Sequence, residues 1–135
     1  MSAPANLIKG VKLFSDLEDR EVSEIAQTFR ERSFPAGEVI AEEGQRGIGF
    51  FVIAAGTAKV TSGGEDRVML GPGDYFGEIA LIDDGPRTAT VTADTDLQCY
   101  GITSWEFKPI VESNAEIAWK LLVGLAKRVR ALEGR

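Results

Sequence analysis

The chain has no histidine and only one cysteine, Cys99, in 135 residues. Without an imidazole it lacks the usual general base and the commonest metal ligand, so neither a hydrolytic triad nor a zinc site has a natural centre here. A lone cysteine has no partner within the chain and cannot staple the fold, which fits a reducing compartment, and a cytoplasmic location is expected. Cys99 lies between Gln98 and Tyr100 in a strand-like run and reads as a small buried strand residue, because nothing nearby in sequence would activate it. No run is long and apolar enough to span a bilayer or act as a signal peptide, so no membrane insertion by this chain is expected. Positive charge is also scarce, with 15 Lys and Arg against 21 Asp and Glu and a net charge of −6. Such a field repels polyanions, so no nucleic-acid partner is expected. An anionic ligand must then be small and enclosed, where a few fixed donors outweigh a diffuse field that salt screens over about 10 Å.

What is present suits one domain over residues 1–135, with 44% hydrophobic and 27% charged residues and enough length for a buried core. Its periodicity changes twice. Residues 1–32 carry a helical pattern, with Val22, Ile25, Ala26 and Phe29 at three- and four-residue spacing and Ser15, Asp16 and Asp19 as start signals. One short and one longer helix are expected there, with Leu13 and Phe14 packed inward. Residues 33–103 read as short strands, at Val39-Ile40, Phe50 to Ile53, Lys59 to Thr61, Arg67 to Leu70, Thr88 to Ala93 and Leu97 to Ile102, separated by glycine-rich turns. Residues 104–135 return to a helical period. Ser104 is the expected N-cap of the first C-terminal helix and Asn114 that of the second, whose stripe runs through Ile117, Leu121, Leu122, Leu125, Val129 and Leu132. The fold class is therefore α+β, mainly β: a double-stranded β-roll, or jelly roll, with N-terminal helices and two C-terminal helices.

Inside the β region, Phe76-Gly77-Glu78-Ile79-Ala80-Leu81-Ile82 breaks the alternating pattern and predicts one or two helical turns. Gly77 lets the backbone approach another group at the start of those turns, where free N–H groups favour an anion. Nine residues beyond Glu78, Gly85-Pro86 turns the chain and Arg87 opens a returning strand. The planar arginine fork suits two phosphate oxygens, Thr88 adds a hydroxyl, and the small Ala89 leaves room. A carboxylate such as Glu78 would repel a phosphate in contact, so it is expected to accept from a neighbouring hydroxyl, as on a ribose.

Phe76-Gly77-Glu78-Ile79-Ala80-Leu81 followed by Pro86-Arg87-Thr88-Ala89-Thr90-Val91 resembles the phosphate-binding cassette of the cyclic nucleotide-binding domain family. Phe34-Pro35-Ala36-Gly37-Glu38-Val39-Ile40 and Gly71-Pro72-Gly73-Asp74 support the likeness upstream, so that it covers nearly the whole chain. The resemblance implies a ligand, cAMP or cGMP, and no cofactor. Arg87 would pair with the cyclic phosphate, amides around Gly77, Glu78, Ile79 and Ala80 would complete its shell, and Glu78 would bind the ribose 2′-hydroxyl. Thr88 would contact phosphate or base. The base would lie between the β-roll and the last helix, with Val60, Val68 and Leu70 as apolar walls. In related channel domains that helix closes over the base with a basic residue; ungapped counting from Arg87 reaches Arg128, and Leu132 lies one turn further on. Gly47-Ile48-Gly49 stands where relatives often have an acidic and a hydroxyl residue.

The expected function is a non-catalytic cyclic nucleotide receptor or regulatory domain whose last helix closes on binding. Its alternative is a β-roll of the same kind that no longer binds nucleotide and serves as an interaction or dimerisation scaffold. The last helix would serve a homodimer or an effector protein. Trp105 and Trp119 are expected to be packing residues, and Lys127-Arg128-Val129-Arg130 a solvated helix end complementing the dipole.

Overall fold

The computed structural model describes residues 3–46, 49–78, 80–83 and 85–134. Helix α1 (Ala5–Lys9), a 3-10 turn (Lys12–Phe14) and α2 (Asp19–Ala26) lead into eight strands among the described residues: β1 (Arg30–Phe34), β2 (Val39–Ala41), β3 (Phe50–Ala55), β4 (Ala58–Ser62), β5 (Glu65–Leu70), β6 (Tyr75–Phe76), β7 (Thr90–Ala93) and β8 (Leu97–Ile102). A single turn, α3 (Ala80–Asp83), interrupts them, and α4 (Ser104–Ser113) and α5 (Ala115–Glu133) close the chain. The strands form two antiparallel sheets, ordered β1-β8-β3-β6 and β2-β7-β4-β5.

Strands β3 and β8 are apolar almost throughout because both faces are covered. On one face, Phe50 and Val52 of β3 with Tyr100 and Ile102 of β8 join the helical residues Ile8, Phe14, Val22, Ile25, Phe107 and Ile117. The alternate residues Phe51 and Ile53 with Leu97 and Cys99 face the second sheet and meet Ala41, Ala58, Val91 and Ala93. Burial pushes the Cys99 thiol up to about 12, which makes it inert. Between β4 and β5, Gly63 and Gly64 both have positive φ, 61° and 78°. That is the backbone a two-residue hairpin turn requires, and it holds the register Ser62↔Glu65.

Several local expectations need correcting. A helix over all of 1–32 overlooked β1, which opens at Arg30; Arg30 to Ser33 are exposed and polar, so no alternation betrays the strand, and its partner β8 supplies the pairing. The returning strand opens at Thr90 rather than at Arg87. Thr103, not Ser104, caps α4: its hydroxyl accepts from the Glu106 amide and Glu106 Oε1 accepts from the Thr103 amide at 3.0 Å. At α2 the cap is Glu18, whose amide donates to Glu21 Oε1 at 2.9 Å. Asn114 caps α5 as expected. Trp105 and Trp119 are exposed rather than packed, at 65% and 67%.

Helix α5 is moored to α2 by a buried carboxylate. Lys120 Nζ donates to Glu21 Oε1 at 2.7 Å and lies 3.5 Å from Glu116. That hydrogen bond holds the Glu21 carboxyl below its usual range and raises the Lys120 ammonium above its own. Glu21 therefore stabilises the fold above its unfolded pKa, and this contribution is lost as pH falls through its folded value. The Lys120 contribution is present below its unfolded pKa and fades as pH rises through the raised one. Thermal melts should show Lys120→Met less stable than the native chain at pH 7, with the gap closing on acidification; a gap independent of pH would contradict the coupling.

Candidate functional site

A cavity of about 400 Å³ continues the space between the sheets, sharing Ala41, Phe76 and Val91 with the inter-sheet core. Val60, Val68 and Leu70 of β4 and β5 form an apolar wall, and Gly77, Glu78, Asp83, Arg87, Thr88 and Ala89 line the polar side. The loop carrying these residues is fixed by backbone pairing. The Arg87 amide donates to Gln45 O, and Gly44 N donates to Arg87 O, both at 2.8 Å. Glu43 then ties the returning limb to the hairpin, its amide donating to Thr90 Oγ1 at 2.9 Å and its carboxylate accepting from Gly63 N at 3.0 Å.

Arg87 is half-buried, and burial pulls its pKa below the ordinary value, although a guanidinium stays protonated. Its Nη2 donates to the Gly49 carbonyl, while its Nε is buried without a hydrogen-bond partner. Among the described residues no carboxylate pairs with it, so its charge is available to an anion. Gly77 makes this position possible. It has φ of +89°, and a Cβ there would fall on Arg87 Nη1 and lie 2.7 Å from Gly49 O. Because α3 is one turn, its macrodipole is small, and Arg87 is the cation of the cavity lining.

Glu78 lies beside them, mostly buried, and its Oε1 accepts from Arg128 Nη2 at 3.1 Å. Asp83, which drew no role from its sequence position, also lines the cavity and accepts from the Gly85 amide at 3.0 Å. Tyr75 is a second lining residue without a sequence signal; its hydroxyl accepts from the Lys12 amide at 3.2 Å, tying the cavity to the 3-10 turn. Of the expected site residues, Val60, Val68, Leu70, Gly77, Glu78, Arg87, Thr88 and Ala89 surround one space. Ala80 begins α3; Ile79, Gly47 and Ile48 lie outside the described residues. Arg128 reaches Glu78 and does not line the apolar wall, and Leu132 is exposed, outside the cavity lining.

A family model described as the cyclic nucleotide-binding domain matches residues 31–114, which include the whole polar loop and both sheets except for Arg30. The chain belongs to the cyclic nucleotide-binding domain family. It is 38% identical over 112 residues to a cyclic nucleotide-gated potassium channel of Mesorhizobium japonicum, a match covering 83% of this chain and 31% of the channel. It is 41% identical over 93 residues to a cAMP-dependent protein kinase regulatory subunit of Yarrowia lipolytica, covering 67% of this chain and 25% of that subunit. This cyclic nucleotide-binding domain therefore spans less than a third of the length of either relative. Among solved structures, the N-terminal domain of a transcriptional regulator from Streptomyces coelicolor A3(2) superposes with a TM-score of 0.85 at 29% identity, covering 93% of this chain and 94% of that one.

Proposed function

We propose that this domain is a non-catalytic receptor for a cyclic nucleotide, cAMP or cGMP, and that closure of α5 transmits binding. The observation that carries the reading is Arg87, a half-buried cation with no carboxylate partner among the described residues and a buried Nε that makes no hydrogen bond, at the wall of a cavity that is apolar on its far side. A cyclic phosphate sugar with an aromatic base matches that division. Its phosphate meets Arg87 and the amides of Gly77, Glu78 and Ala80. The ribose meets Glu78, with Thr88 and Ala89 beside the phosphate or base, and the base lies on Val60, Val68 and Leu70.

The lid reading rests on how α5 is held. Ile117 and Leu121 are buried in the helical core and Lys127 pairs with Asp16 at 2.9 Å, whereas Arg128 contacts the cassette and Leu132 is exposed. A ligand shifts such a helix only by binding its two positions with different affinity. Trp119, Leu122, Val129 and Leu132 are exposed on α5 and supply a face for a second copy or an effector. No helix among the described residues is long and apolar enough to cross a membrane, and we place the domain in the cytoplasm.

Calorimetric titration with cAMP and cGMP tests the reading. Saturable heat is expected with at least one of them, together with a rise in melting temperature that corresponds to about 2.7 kcal/mol at a hundredfold excess over Kd. The nucleotide should be recovered unchanged. Silence toward both at millimolar concentration would remove the receptor reading and favour the scaffold, for which the exposed α5 face is the supporting observation.

A further inference from the structure

We infer that the β1 end of the sheet β1-β8-β3-β6 holds a second ligand site, separate from the cavity around Arg87, that takes an aromatic phosphate monoester of mononucleotide size between Arg30, Arg32 and Trp105. Strand alternation sets it up. Phe34 of β1 packs among the inter-sheet residues, so Arg32 and Arg30, two and four positions earlier, point to the same side of the sheet. The Arg32 guanidinium lies over the Phe34 ring, 5.7 Å from its centroid. Opposite Arg30 stands Gly101, where a Cβ would come within 2.7 Å of the Phe51 ring. Backbone and an aromatic ring therefore floor the space beside the two guanidinium groups. The result is a cavity of about 340 Å³, against about 400 Å³ for the one around Arg87, and its lining includes Arg30, Arg32, Phe51, Gly101, Trp105 and Glu106.

Its charge singles this cavity out. In a chain of net charge −6, Lys59, Arg67, Lys120 and Lys127 each lie beside a carboxylate. Arg30 and Arg32 have no such partner among the described residues. Glu106 shares the lining, but its Oε1 accepts from the Thr103 amide at 3.0 Å and the Thr103 hydroxyl at 2.8 Å, and one carboxylate against two arginines leaves the cavity positive. Two planar forks match the terminal oxygens of a phosphate monoester, which carries close to two negative charges at pH 7. A cyclic phosphate has one negative charge and suits the single Arg87; the dianion suits the pair. Trp105 supplies the rest. Its indole is 65% exposed on the cavity lining, where a stacked flat ring gains about tenfold in affinity.

The test follows Trp105 fluorescence in a Trp119→Phe chain, which removes the other indole, itself 67% exposed. AMP should give a saturable change. Adenosine, which lacks the phosphate, and inorganic phosphate, which lacks the ring, should each bind at least about tenfold more weakly. Replacing both arginines, Arg30→Gln with Arg32→Gln, should raise the Kd for AMP by at least about tenfold, whereas Arg87→Ala should change it by less than about threefold. The two cavities use different arginines, so this site and the receptor reading stand or fall separately: silence toward cAMP leaves the AMP titration to decide here, and silence toward AMP leaves the cAMP titration untouched. No saturable change with AMP at millimolar concentration would overturn the site. So would AMP binding that is lost with Arg87→Ala yet kept without Arg30 and Arg32, or adenosine or inorganic phosphate binding as tightly as AMP. Both arginines are exposed, and the core does not rest on them. Should the double variant fail to fold, Arg30→Gln and Arg32→Gln are measured singly; each should cost at least about threefold, and no cost in either counts against the inference.

Discussion

Arg87→Ala is expected to raise the Kd for cAMP by about 10²–10⁴-fold while leaving the melting temperature of the unliganded domain nearly unchanged. The size follows from the fork. Two charge-assisted hydrogen bonds to phosphate are each worth about 1.5–3 kcal/mol, and every 1.4 kcal/mol is a factor of ten. The small effect on folding follows from the surroundings of Arg87. Among the described residues its side chain donates to the Gly49 carbonyl alone, its Nε has no partner, and burial opposes its charge, so removing it relieves roughly what it costs. Arg87→Lys should bind weakly too, since it keeps the charge but loses the bidentate geometry. Calorimetry and thermal melts on the same samples check both halves. A large drop in melting temperature with unaltered affinity would assign Arg87 a structural role.

Gly77→Ala should impair both binding and folding, although it adds a single methyl group. The backbone φ of +89° is one that a residue with a Cβ adopts at a cost of about 1–2 kcal/mol. The new methyl would clash with Arg87 Nη1 and press on the Gly49 carbonyl at 2.7 Å. Arg87 is a flexible chain and can move, but doing so takes it off the position from which it would meet phosphate; the Gly49 carbonyl is backbone and yields less. We expect at least about a tenfold loss in cAMP affinity with a measurable fall in melting temperature. By contrast, Gly85→Ala, whose nearest neighbours would be Asp83 carboxylate atoms at 3.4 Å and beyond, should be mild. Affinities and melts for the two alanine variants compare them directly, and an equal effect would refute the role given to Gly77.

The parts of this fold legible in sequence are those whose local pattern and burial agree. The apolar run of β3 and that of β8, interrupted at Gln98, announced buried strands, and the structure adds the reason: helices cover one face and the second sheet the other. The glycines, Glu78 and Arg87 announced the polar loop because their spacing is local and chemically unusual. What escaped was set by tertiary partners. Nothing in Arg30-Glu31-Arg32-Ser33 reads as a strand, and β1 exists because β8 offers it an edge. The two tryptophans read as core by type, yet the core is filled by phenylalanines such as Phe14, Phe29 and Phe50, leaving both indoles outside. Arg128 was reached by counting, and its pairing with Glu78 depends on the path of α5, which no local pattern encodes. Asp83 and Tyr75 gave no signal because each enters the cavity through the fold of the loop around it.

A crystal structure of the domain grown with cAMP tests the central claim most directly. The cyclic phosphate should lie against the Arg87 guanidinium and the amides that follow Gly77, with the ribose 2′-hydroxyl on Glu78 and the base on Val60, Val68 and Leu70. Nucleotide bound elsewhere, or this cavity empty at saturating cAMP with Arg87 still on the Gly49 carbonyl, would contradict it.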